Sequence, residues 1–284
     1  MKKDSKKLYE PRHILLPEKT FPKKSLGQNF IIDLEVLDRI SVIARLSKTD
    51  EVLEIGAGLG TLTTYLAERT KSVIAIEKDK MLFEELREST HHLPNLELVL
   101  GDVLKINFRE FFKGRKIKVV SNLPYNISSP ILIKLLEHRD IFSLLVLMIQ
   151  REVGERITAK PGGRVYGSIS VLLQTFFHIS IELHVRPESF WPKPKVDSVV
   201  LKLVPLTSPK IKLSDERLFR KIIRAAFSSR RKMLANSLCS ILTKDKVEEI
   251  LKASGIDRRR RAETLSVEEF GRLTEEAFKI GEKA

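Results

Sequence analysis

The fold is decided by the ten residues Glu51-Val52-Leu53-Glu54-Ile55-Gly56-Ala57-Gly58-Leu59-Gly60. The first five have the apolar pattern of a short buried strand, and the glycines that follow allow the backbone to turn tightly and approach a ligand closely. A helical pattern begins at Thr61. A strand, a glycine-rich loop and a helix in this order predict the first unit of a doubly wound α/β domain, with a binding site beside the loop.

The glycine spacing restricts the kind of ligand. The loop has the form G-x-G-x-G, whereas a dinucleotide fingerprint has the form G-x-G-x-x-G and would need a glycine at Thr61. No phosphate-binding loop ending in Gly-Lys-Ser or Gly-Lys-Thr occurs in the sequence. The ligand therefore need not carry phosphate.

Outward from the loop, short apolar segments alternate with amphipathic ones, which predicts a mostly parallel sheet with helices on both faces. Strands are predicted at 51–55, 72–77, 96–101, 117–121 and 143–149. Helices are predicted between them at 61–69, 79–89 and 129–138. Two further strands, at 179–185 and 198–203, are separated by a proline-rich loop and are expected to be adjacent and antiparallel.

The strand pattern stops after Pro205 and helical spacing follows, so we predict an α/β domain at 1–205 and a small helical domain at 206–284. Residues 1–24 have 8 basic and 3 acidic side chains, residues 25–205 have 24 and 22, and residues 206–284 have 19 and 12. A nearly neutral body with basic ends fits a polyanion held from its flanks. A solvated basic surface is the alternative interpretation.

The strongest basic segment lies between Glu216 and Asp245, where no acid occurs. Helical spacing predicts one basic face and one apolar face for 217–231. The basic face would contain Arg217, Arg220, Lys221, Arg224 and Arg231. The residues that we predict to contact RNA are Arg220, Lys221, Arg224, Arg230, Arg231 and Lys232.

Composition excludes several classes of protein. With 42% hydrophobic and 31% charged residues the chain fits neither a disordered nor a membrane-spanning protein. The single Cys239 excludes an internal disulfide framework and a cysteine-based metal site. No histidine or carboxylate cluster has metal-ligand spacing, so no metal is expected. We expect a cytoplasmic protein, because the first 24 residues lack the apolar core of a secretion signal, and we also expect it to be a monomer.

Acidic residues end the two strands that follow the glycine loop. Glu77 closes 72–77, and Asp102 follows 96–101. The carboxyl ends of parallel strands line one crevice, so both carboxylates should face the ligand. Glu77 can accept hydrogen bonds from ribose hydroxyls, and Asp102 can accept one from an adenine amine while Val103 lies against the ring. This order and spacing favour S-adenosylmethionine as the ligand.

The sequence Asn122-Leu123-Pro124-Tyr125 stands where strand 117–121 ends. An amide, a backbone carbonyl and an aromatic face at one strand end suit a flat base with an exocyclic amine, such as adenine. The Asn122 side-chain carbonyl and the Leu123 backbone carbonyl would accept the two amine hydrogens. Tyr125 would stack on the base, with Phe190 as a second face.

Together these segments resemble the ribosomal RNA adenine N6,N6-dimethyltransferases, most closely the bacterial small-subunit enzymes. The resemblance covers nearly the whole length. It rests on 24–30 (KSLGQNF), EIGAGLG, Glu77, Gly101-Asp102-Val103, 122–130 (NLPYNISSP), 190–198 (FWPKPKVDS), Arg230-Arg231-Lys232 and 261–265 (RAETL). Gly154 stands where this family usually has a small residue, most often alanine.

The resemblance implies a Rossmann-like class I S-adenosylmethionine-dependent methyltransferase domain with a small C-terminal α-helical domain. It implies that two adjacent adenosines in the 3′-terminal hairpin of 16S rRNA are dimethylated within the small ribosomal subunit or its assembly intermediate. Gln28, Asn29 and Ile31 would cover the cofactor, while Gly56 and Gly58 would pass along its methionine part. Asn122 would contact both cofactor and base.

Two other functions stay open. A large-subunit adenine dimethylase would share both sites but read another RNA; the basic helical tail and the NLPYNISSP sequence favour the small subunit. A noncatalytic RNA-binding assembly or transcription factor would keep the fold without the chemistry. The intact glycines and the residues Glu77, Asp102 and Asn122 argue against lost catalysis. A DNA adenine methyltransferase is not favoured, because such an enzyme would usually have proline in place of Leu123.

Overall fold

The computed structural model describes residues 27–229 and 231–282. The predicted RNA contact Arg230 and the Lys24–Leu26 part of the family signature lie outside the described residues. The strands are β1 (Phe30–Ile31), β2 (Glu51–Ile55), β3 (Ser72–Glu77), β4 (Leu96–Leu100), β5 (Ile117–Asn122), β6 (Phe142–Gln150), β7 (Phe177–Val185), β8 (Phe190–Trp191) and β9 (Ser198–Pro205). The helices are α1 (Leu34–Ala44), α2 (Thr61–Ala67), α3 (Lys80–Thr90), α4 (Phe108–Phe112), α5 (Ser128–Glu137), α6 (Arg151–Thr158), α7 (Ser168–Phe176), α8 (Glu216–Ala226), α9 (Leu234–Leu238), α10 (Lys244–Ser254) and α11 (Val267–Glu282).

Seven strands form the main sheet in the order β4-β3-β2-β5-β6-β9-β7, and β1 pairs with β8 separately. Strands β2 to β6 pair in parallel, whereas β9 is antiparallel to β6. Strand β6 is buried almost throughout, which explains its continuous apolar sequence, while the edge strand β4 stays partly exposed. The predicted α/β fold class is confirmed, and β7 and β9 are neighbours as predicted.

The chain order of the strands places the binding crevice. From β2 the chain adds β3 and β4 on one side, and then it returns to place β5 on the other side of β2. This reversal is a topological switch point, where doubly wound sheets bind ligands beyond the carboxyl ends of their strands. The glycine loop follows β2 and the NLPY sequence follows β5, so both segments meet at the switch point.

Aspartate caps begin several helices. Asp33 accepts a hydrogen bond from the Glu35 N–H at the start of α1 at 3.1 Å, and Asp79 accepts one from the Met81 N–H at the start of α3 at 3.0 Å. These carboxylates satisfy N–H groups that have no partner within the helix. Because α3 follows β3 directly, its cap also fixes the chain immediately after Glu77.

The chain divides into two compact units. One contains the described residues up to Gly154 together with Ile179–Pro205, and the other contains Glu155–His178 and Leu206–Ala284 as far as they are described. Residues 155–178, which the sequence analysis placed in the α/β domain, lie in the second unit. The apolar side of α7 explains this assignment, since Phe176 packs edge-on against Phe219 of α8 with ring centroids 6.5 Å apart.

The basic helix of the second unit is shorter than its sequence pattern predicts. Asp215 caps α8 by accepting from the Arg217 and Leu218 N–H groups at 2.7 and 3.0 Å. Helix α8 ends at Ala226, so Arg231 does not lie on its basic face. The predicted continuation through 231 is therefore wrong. No helix in the described ranges is long and apolar enough to span a bilayer.

Candidate active site

A cavity of about 330 Å³ lies at the carboxyl ends of β2, β3, β4 and β5. Every predicted cofactor residue lines it: Gln28, Asn29, Ile31, Gly56, Gly58, Glu77, Asp102, Val103 and Asn122. Leu123 and Tyr125, two of the predicted catalytic residues, line the same cavity. The structure therefore brings together segments that are as far apart in sequence as Gln28 and Tyr125.

The glycine loop is packed between two rings. Gly56 has φ 78° and Gly58 has φ 59°, which side chains rarely tolerate. A Cβ atom on Gly58 would lie 2.6 Å from the Phe30 ring, and one on Gly56 would lie 3.2 Å from the Pro124 ring. Glycine is therefore required at both positions by backbone conformation and, at Gly58, by close packing as well.

The Glu77 carboxylate holds the loop in place. Its Oε2 accepts a hydrogen bond from the Gly58 N–H at 2.9 Å, and its Oε1 accepts from the Lys78 and Asp79 N–H groups at 2.8 Å each. A carboxylate has about four acceptor sites, so three backbone donors leave one for a ligand. Glu77 thus connects β3 to the glycine loop and still lines the cavity.

Asp102 forms an ion pair at the cavity wall. Its Oδ2 lies 2.9 Å from the Lys78 ammonium nitrogen, and its Oδ1 accepts from the Leu104 N–H at 3.0 Å. The hydrogen bond from Lys78 lowers the pKa of Asp102 from its ordinary value, and the Leu104 N–H adds to this effect. Asp102 is therefore ionised at neutral pH and can accept a hydrogen bond from a ligand amine.

Glu54 is a third acidic group in the cavity wall, and it is buried. Its side chain is 1% exposed, and its Oε2 has no hydrogen-bond partner among the described residues. Burial raises the pKa of Glu54 to about 8, and the charge of Glu77 contributes to the rise. Glu54 is therefore mostly neutral at pH 7 when the cavity contains no cation.

The amide of Asn122 is oriented by the backbone of the segment that covers the cavity. Its Nδ2 donates to the Asn29 carbonyl at 2.7 Å, which fixes the direction of the side chain. Its Oδ1 is buried and has no partner among the described residues. A buried acceptor without a partner costs about 1–3 kcal/mol, so a donor from a ligand would stabilise this arrangement.

The two residues on either side of Pro124 are also fixed. The Leu123 N–H donates to the Met148 carbonyl on β6 at 3.0 Å, which holds the start of the loop against the sheet. The Tyr125 hydroxyl lies 2.5 Å from the Ser198 hydroxyl oxygen at the start of β9. Burial raises the pKa of the Tyr125 phenol above its ordinary value, so the ring stays neutral at physiological pH.

Phe190 is not among the residues that line the cavity, and its role as a second stacking face stays a prediction. Antiparallel pairing of β1 and β8 sets Phe190 opposite Ile31, and Phe190 is 3% exposed within the hydrophobic core. Alternation along β8 turns the next side chain, Trp191, to the other face. There Trp191 stacks on Phe30, which does line the cavity, with centroids 6.3 Å apart.

Among the predicted RNA contacts, exposure separates one residue from the rest. Arg220 is held by Glu216, with Nη2 2.8 Å and Nε 3.1 Å from Oε1, and its side chain is 19% exposed. Lys221, Arg224, Arg231 and Lys232 are exposed. The exposed cations among the predicted RNA contacts are therefore the other four residues and not Arg220.

Sequence reasoning assigned no role to four residues at the site. Lys78 and Phe30 line the cavity, Glu54 contributes a buried carboxyl, and Ser198 orients Tyr125. Glu54 and Lys78 could have been found from the sequence. Glu54 stands just before the glycine loop, and Lys78 directly follows Glu77. Phe30 and Ser198 end two of the segments that carry the family resemblance, but their contacts could not be read from the sequence, since their places depend on pairing between distant segments. No group of three metal-ligating side chains converges in the part of the chain that is described.

Comparison with known proteins gives one consistent result. The family model described as ribosomal RNA adenine dimethylase matches residues 21–279. Two relatives are named ribosomal RNA small subunit methyltransferase A. The one from Geobacter metallireducens is 45% identical to this chain, and the one from Clostridium botulinum is 46% identical. These alignments cover 92% and 90% of this chain and 97% and 94% of the relatives.

Solved structures share the architecture. A dimethyladenosine transferase from Plasmodium falciparum is 29% identical, with a TM-score of 0.74, over 89% of this chain and 98% of that chain. The 23S rRNA methyltransferase ErmE is 26% identical, with a TM-score of 0.67, over 88% of this chain and 99% of that chain. The fold is therefore shared by a protein named for 23S rRNA as well as by a dimethyladenosine transferase.

Proposed function

Because the chain belongs to the ribosomal RNA adenine dimethylase family, we propose that it dimethylates the N6 amines of two adjacent adenosines in the 3′-terminal hairpin of 16S rRNA. S-adenosylmethionine is the proposed methyl donor. The identity of 45–46% to proteins named for the small subunit, against 26% to one named for 23S rRNA, supports a small-subunit target. A role in small-subunit biogenesis belongs to the same proposal.

The residues present fit this cofactor. The cavity combines the glycine loop with acidic groups at the ends of β3 and β4 and with the unpartnered Asn122 oxygen. Gly56 and Gly58 would run along the methionine part, Glu77 would accept from a ribose hydroxyl, and Asp102 with Val103 would hold the adenine. When bound, the cofactor supplies an electrophilic methyl group on a sulfonium centre.

The main support for this proposal is the buried Asn122 Oδ1. The Asn122 amide is fixed in direction by its hydrogen bond to the Asn29 carbonyl, and Oδ1 has no partner among the described residues. The lone pair of the adenine amine is delocalised into the ring, which makes the amine a poor nucleophile. Asn122 Oδ1 and the Leu123 carbonyl accept its two hydrogens and turn the lone pair out of the ring plane. Alignment of the amine, rather than a strong base, is what these acceptors provide.

Tyr125 positions the base without ionising. Its ring lies in the cavity wall, and its hydroxyl contact with Ser198 restricts the ring's rotation. A stacked base is stabilised by roughly 1–3 kcal/mol, which helps to offset the cost of extruding it from the RNA. The first methyl transfer is followed by release of one amine proton, so the monomethylated amine keeps a single hydrogen. A second transfer requires this amine to turn so that one of the two acceptors takes that hydrogen and the lone pair faces the next methyl group.

Exposed cations of the second unit supply the affinity for RNA in this proposal. Lys221, Arg224, Arg231 and Lys232 are exposed and can neutralise phosphates, which gives binding that weakens as salt is added. Arg220 contributes less because Glu216 already neutralises it. We further propose that the protein acts as a monomer, which sedimentation analysis can test, and that it needs no metal.

The test combines the protein with labelled S-adenosylmethionine and, separately, with unmethylated small subunits, large subunits and naked 16S rRNA. Dimethyladenosine is then mapped in the product RNA, with Asn122→Ala as the matched variant. We expect label in the small-subunit hairpin that is lost in the variant. Label in large-subunit RNA would instead support the 23S-type reaction, and cofactor binding without transfer to any substrate would overturn the enzymatic proposal.

A further inference from the structure

Residues 27–31 all line the cavity, and we name this stretch the cover segment. Its last two residues form β1, which pairs antiparallel with the two residues of β8, Phe190 and Trp191. A two-stranded ribbon of this length is only marginally stable by itself. The contacts that its side chains make therefore decide how firmly the cover segment is held.

Buried polar contacts anchor one end of the ribbon. The Ile32 N–H donates to the Ser189 carbonyl at 2.9 Å. The Ser189 hydroxyl donates to Asp33 Oδ2 at 2.8 Å, and both residues are buried. Asp33 also caps α1 through its Oδ1, so this end of the ribbon is tied to a helix. Trp191, two residues after Ser189, therefore projects from an anchored backbone.

The Phe30 ring connects the glycine loop with Trp191. A Cβ atom on Gly58 would lie 2.6 Å from Phe30 Cε1, so the ring lies directly against the backbone of the loop. Trp191 stacks on the same ring, with centroids 6.3 Å apart and the two planes inclined by 26°. Trp191 is partly exposed and is not among the residues that line the cavity. It can therefore reach a bound ligand only through Phe30.

We propose that Trp191 is a positioning residue for the cofactor, because its stack on Phe30 holds the cover segment against the glycine loop. This inference rests on the proposed use of S-adenosylmethionine and adds a residue to which that proposal gives no role. Apparent affinity falls in proportion to the population of the binding-competent form, so loss of the stack weakens cofactor binding. The rate of methyl transfer at saturating cofactor should be nearly unchanged, since Trp191 acts through Phe30.

The wild-type protein offers a direct test, because Trp191 is the only tryptophan in the chain. A cofactor that binds better when the stack is formed must, by linkage, also stabilise the stack. Adding S-adenosylhomocysteine should therefore reduce acrylamide quenching of Trp191 fluorescence, with the midpoint that calorimetry gives for binding. Excitation at the red edge of tryptophan absorption avoids the adenine ring. Quenching that stays constant while calorimetry shows binding would overturn the inference.

Variants measure the size of the effect. Trp191→Ala should raise the dissociation constant of S-adenosylhomocysteine by roughly 2- to 10-fold, which is the range that one aromatic pair provides. Trp191→Phe keeps a ring opposite Phe30 and should restore most of the affinity. Single-turnover methyl transfer at saturating cofactor should separate this loss of binding from the chemical step.

The matched control is Phe111→Ala, which removes a partly exposed ring of α4 that packs edge-on against Phe112 and is not among the cavity residues. This variant should lose thermal stability and keep its cofactor affinity. Unchanged affinity in Trp191→Ala, or an equal loss in Phe111→Ala or in Trp191→Phe, would overturn the inference. Failure of a cofactor-binding wild type to methylate any RNA would overturn the proposed function instead, and the affinity ratios would still decide the role of Trp191.

Discussion

The Asn122 amide donates to the backbone carbonyl of Asn29 at 2.7 Å, although the two residues are 93 positions apart. The segment around Asn29 thereby sets the orientation of the Asn122 side chain, which is the acceptor for the adenine amine in the proposed reaction. Under that proposal, this contact couples cover of the cofactor to orientation of the acceptor. A change at either residue should affect the chemical step as well as binding.

Asn122→Ala removes the oriented acceptor and should lower the single-turnover rate of methyl transfer by about 10²–10³, as for other polar groups that act in a transition state. Single-turnover assays at saturating cofactor measure this rate, and thermal unfolding of the variant controls for folding. A loss confined to cofactor affinity, with an unchanged rate at saturation, would assign Asn122 to binding alone.

Tyr125 should act through its ring and not through its hydroxyl. Tyr125→Phe keeps the stacking surface and should reduce the rate less than Tyr125→Ala, which should lose about 1–3 kcal/mol, or roughly 5- to 150-fold. Because burial raises the pKa of Tyr125, the phenol stays neutral, and the wild-type rate should show no step from its ionisation between pH 7 and 9. A larger effect for Phe than for Ala would contradict stacking.

Glu54 should make the stability of the cofactor-free protein depend on pH. Its pKa in the folded protein is about 8, against an ordinary value of 4.5, so between these values the folded state holds a proton that the unfolded chain has released. The free energy of unfolding should therefore fall as pH rises from about 5 to 8, by on the order of 1 kcal/mol per pH unit.

Glu54→Gln keeps the neutral shape and removes this titration. Urea unfolding of wild type and variant at four pH values between 5 and 8 should give curves that diverge, with the variant gaining relative stability as pH rises. All other titrating groups are common to both proteins and cancel in the difference. Parallel curves would show that Glu54 does not bind its proton across this range.

The sheet was predictable because its strands are buried, so that β2 and β3 read as short, mainly apolar segments and end where expected. Glu77 and Asp102 were predictable for the same reason, since strand ends identify the crevice. Phe190 was not, because its direction depends on pairing with Ile31, almost 160 residues earlier in the sequence. Period-2 alternation identifies two faces but not which one is inside.

The second unit shows the same limit at the level of packing. The basic and apolar faces of α8 are evident from the sequence, but the segment 155–178 joins this unit through ring contacts that have no local signature. The partner of Arg220 was accessible in principle, because Glu216 stands four residues before it, which is the favourable order for a helical ion pair.

The Arg220–Glu216 pair leads to a prediction about RNA affinity. Arg224→Glu should weaken RNA binding and flatten its salt dependence more than Arg220→Glu does, because Arg224 is exposed and Arg220 is largely covered by its ion pair. Arg220→Glu should lower thermal stability more, since it places two carboxylates together. Cofactor affinity serves as the control, and equal RNA effects of the two variants would contradict this difference.

Gly154 on α6 should be required by its neighbour on β9. A Cβ atom on Gly154 would lie 2.4 Å from Val199 Cγ2. Gly154→Ala gains up to about 1 kcal/mol of helix propensity, but crowding costs about 1–3 kcal/mol, so the variant should be less stable than wild type. In a Val199→Ala background the methyl group has space, and Gly154→Ala should become neutral or stabilising. Urea unfolding of the four proteins measures the coupling, and strictly additive effects would show that Val199 does not exclude alanine from this position.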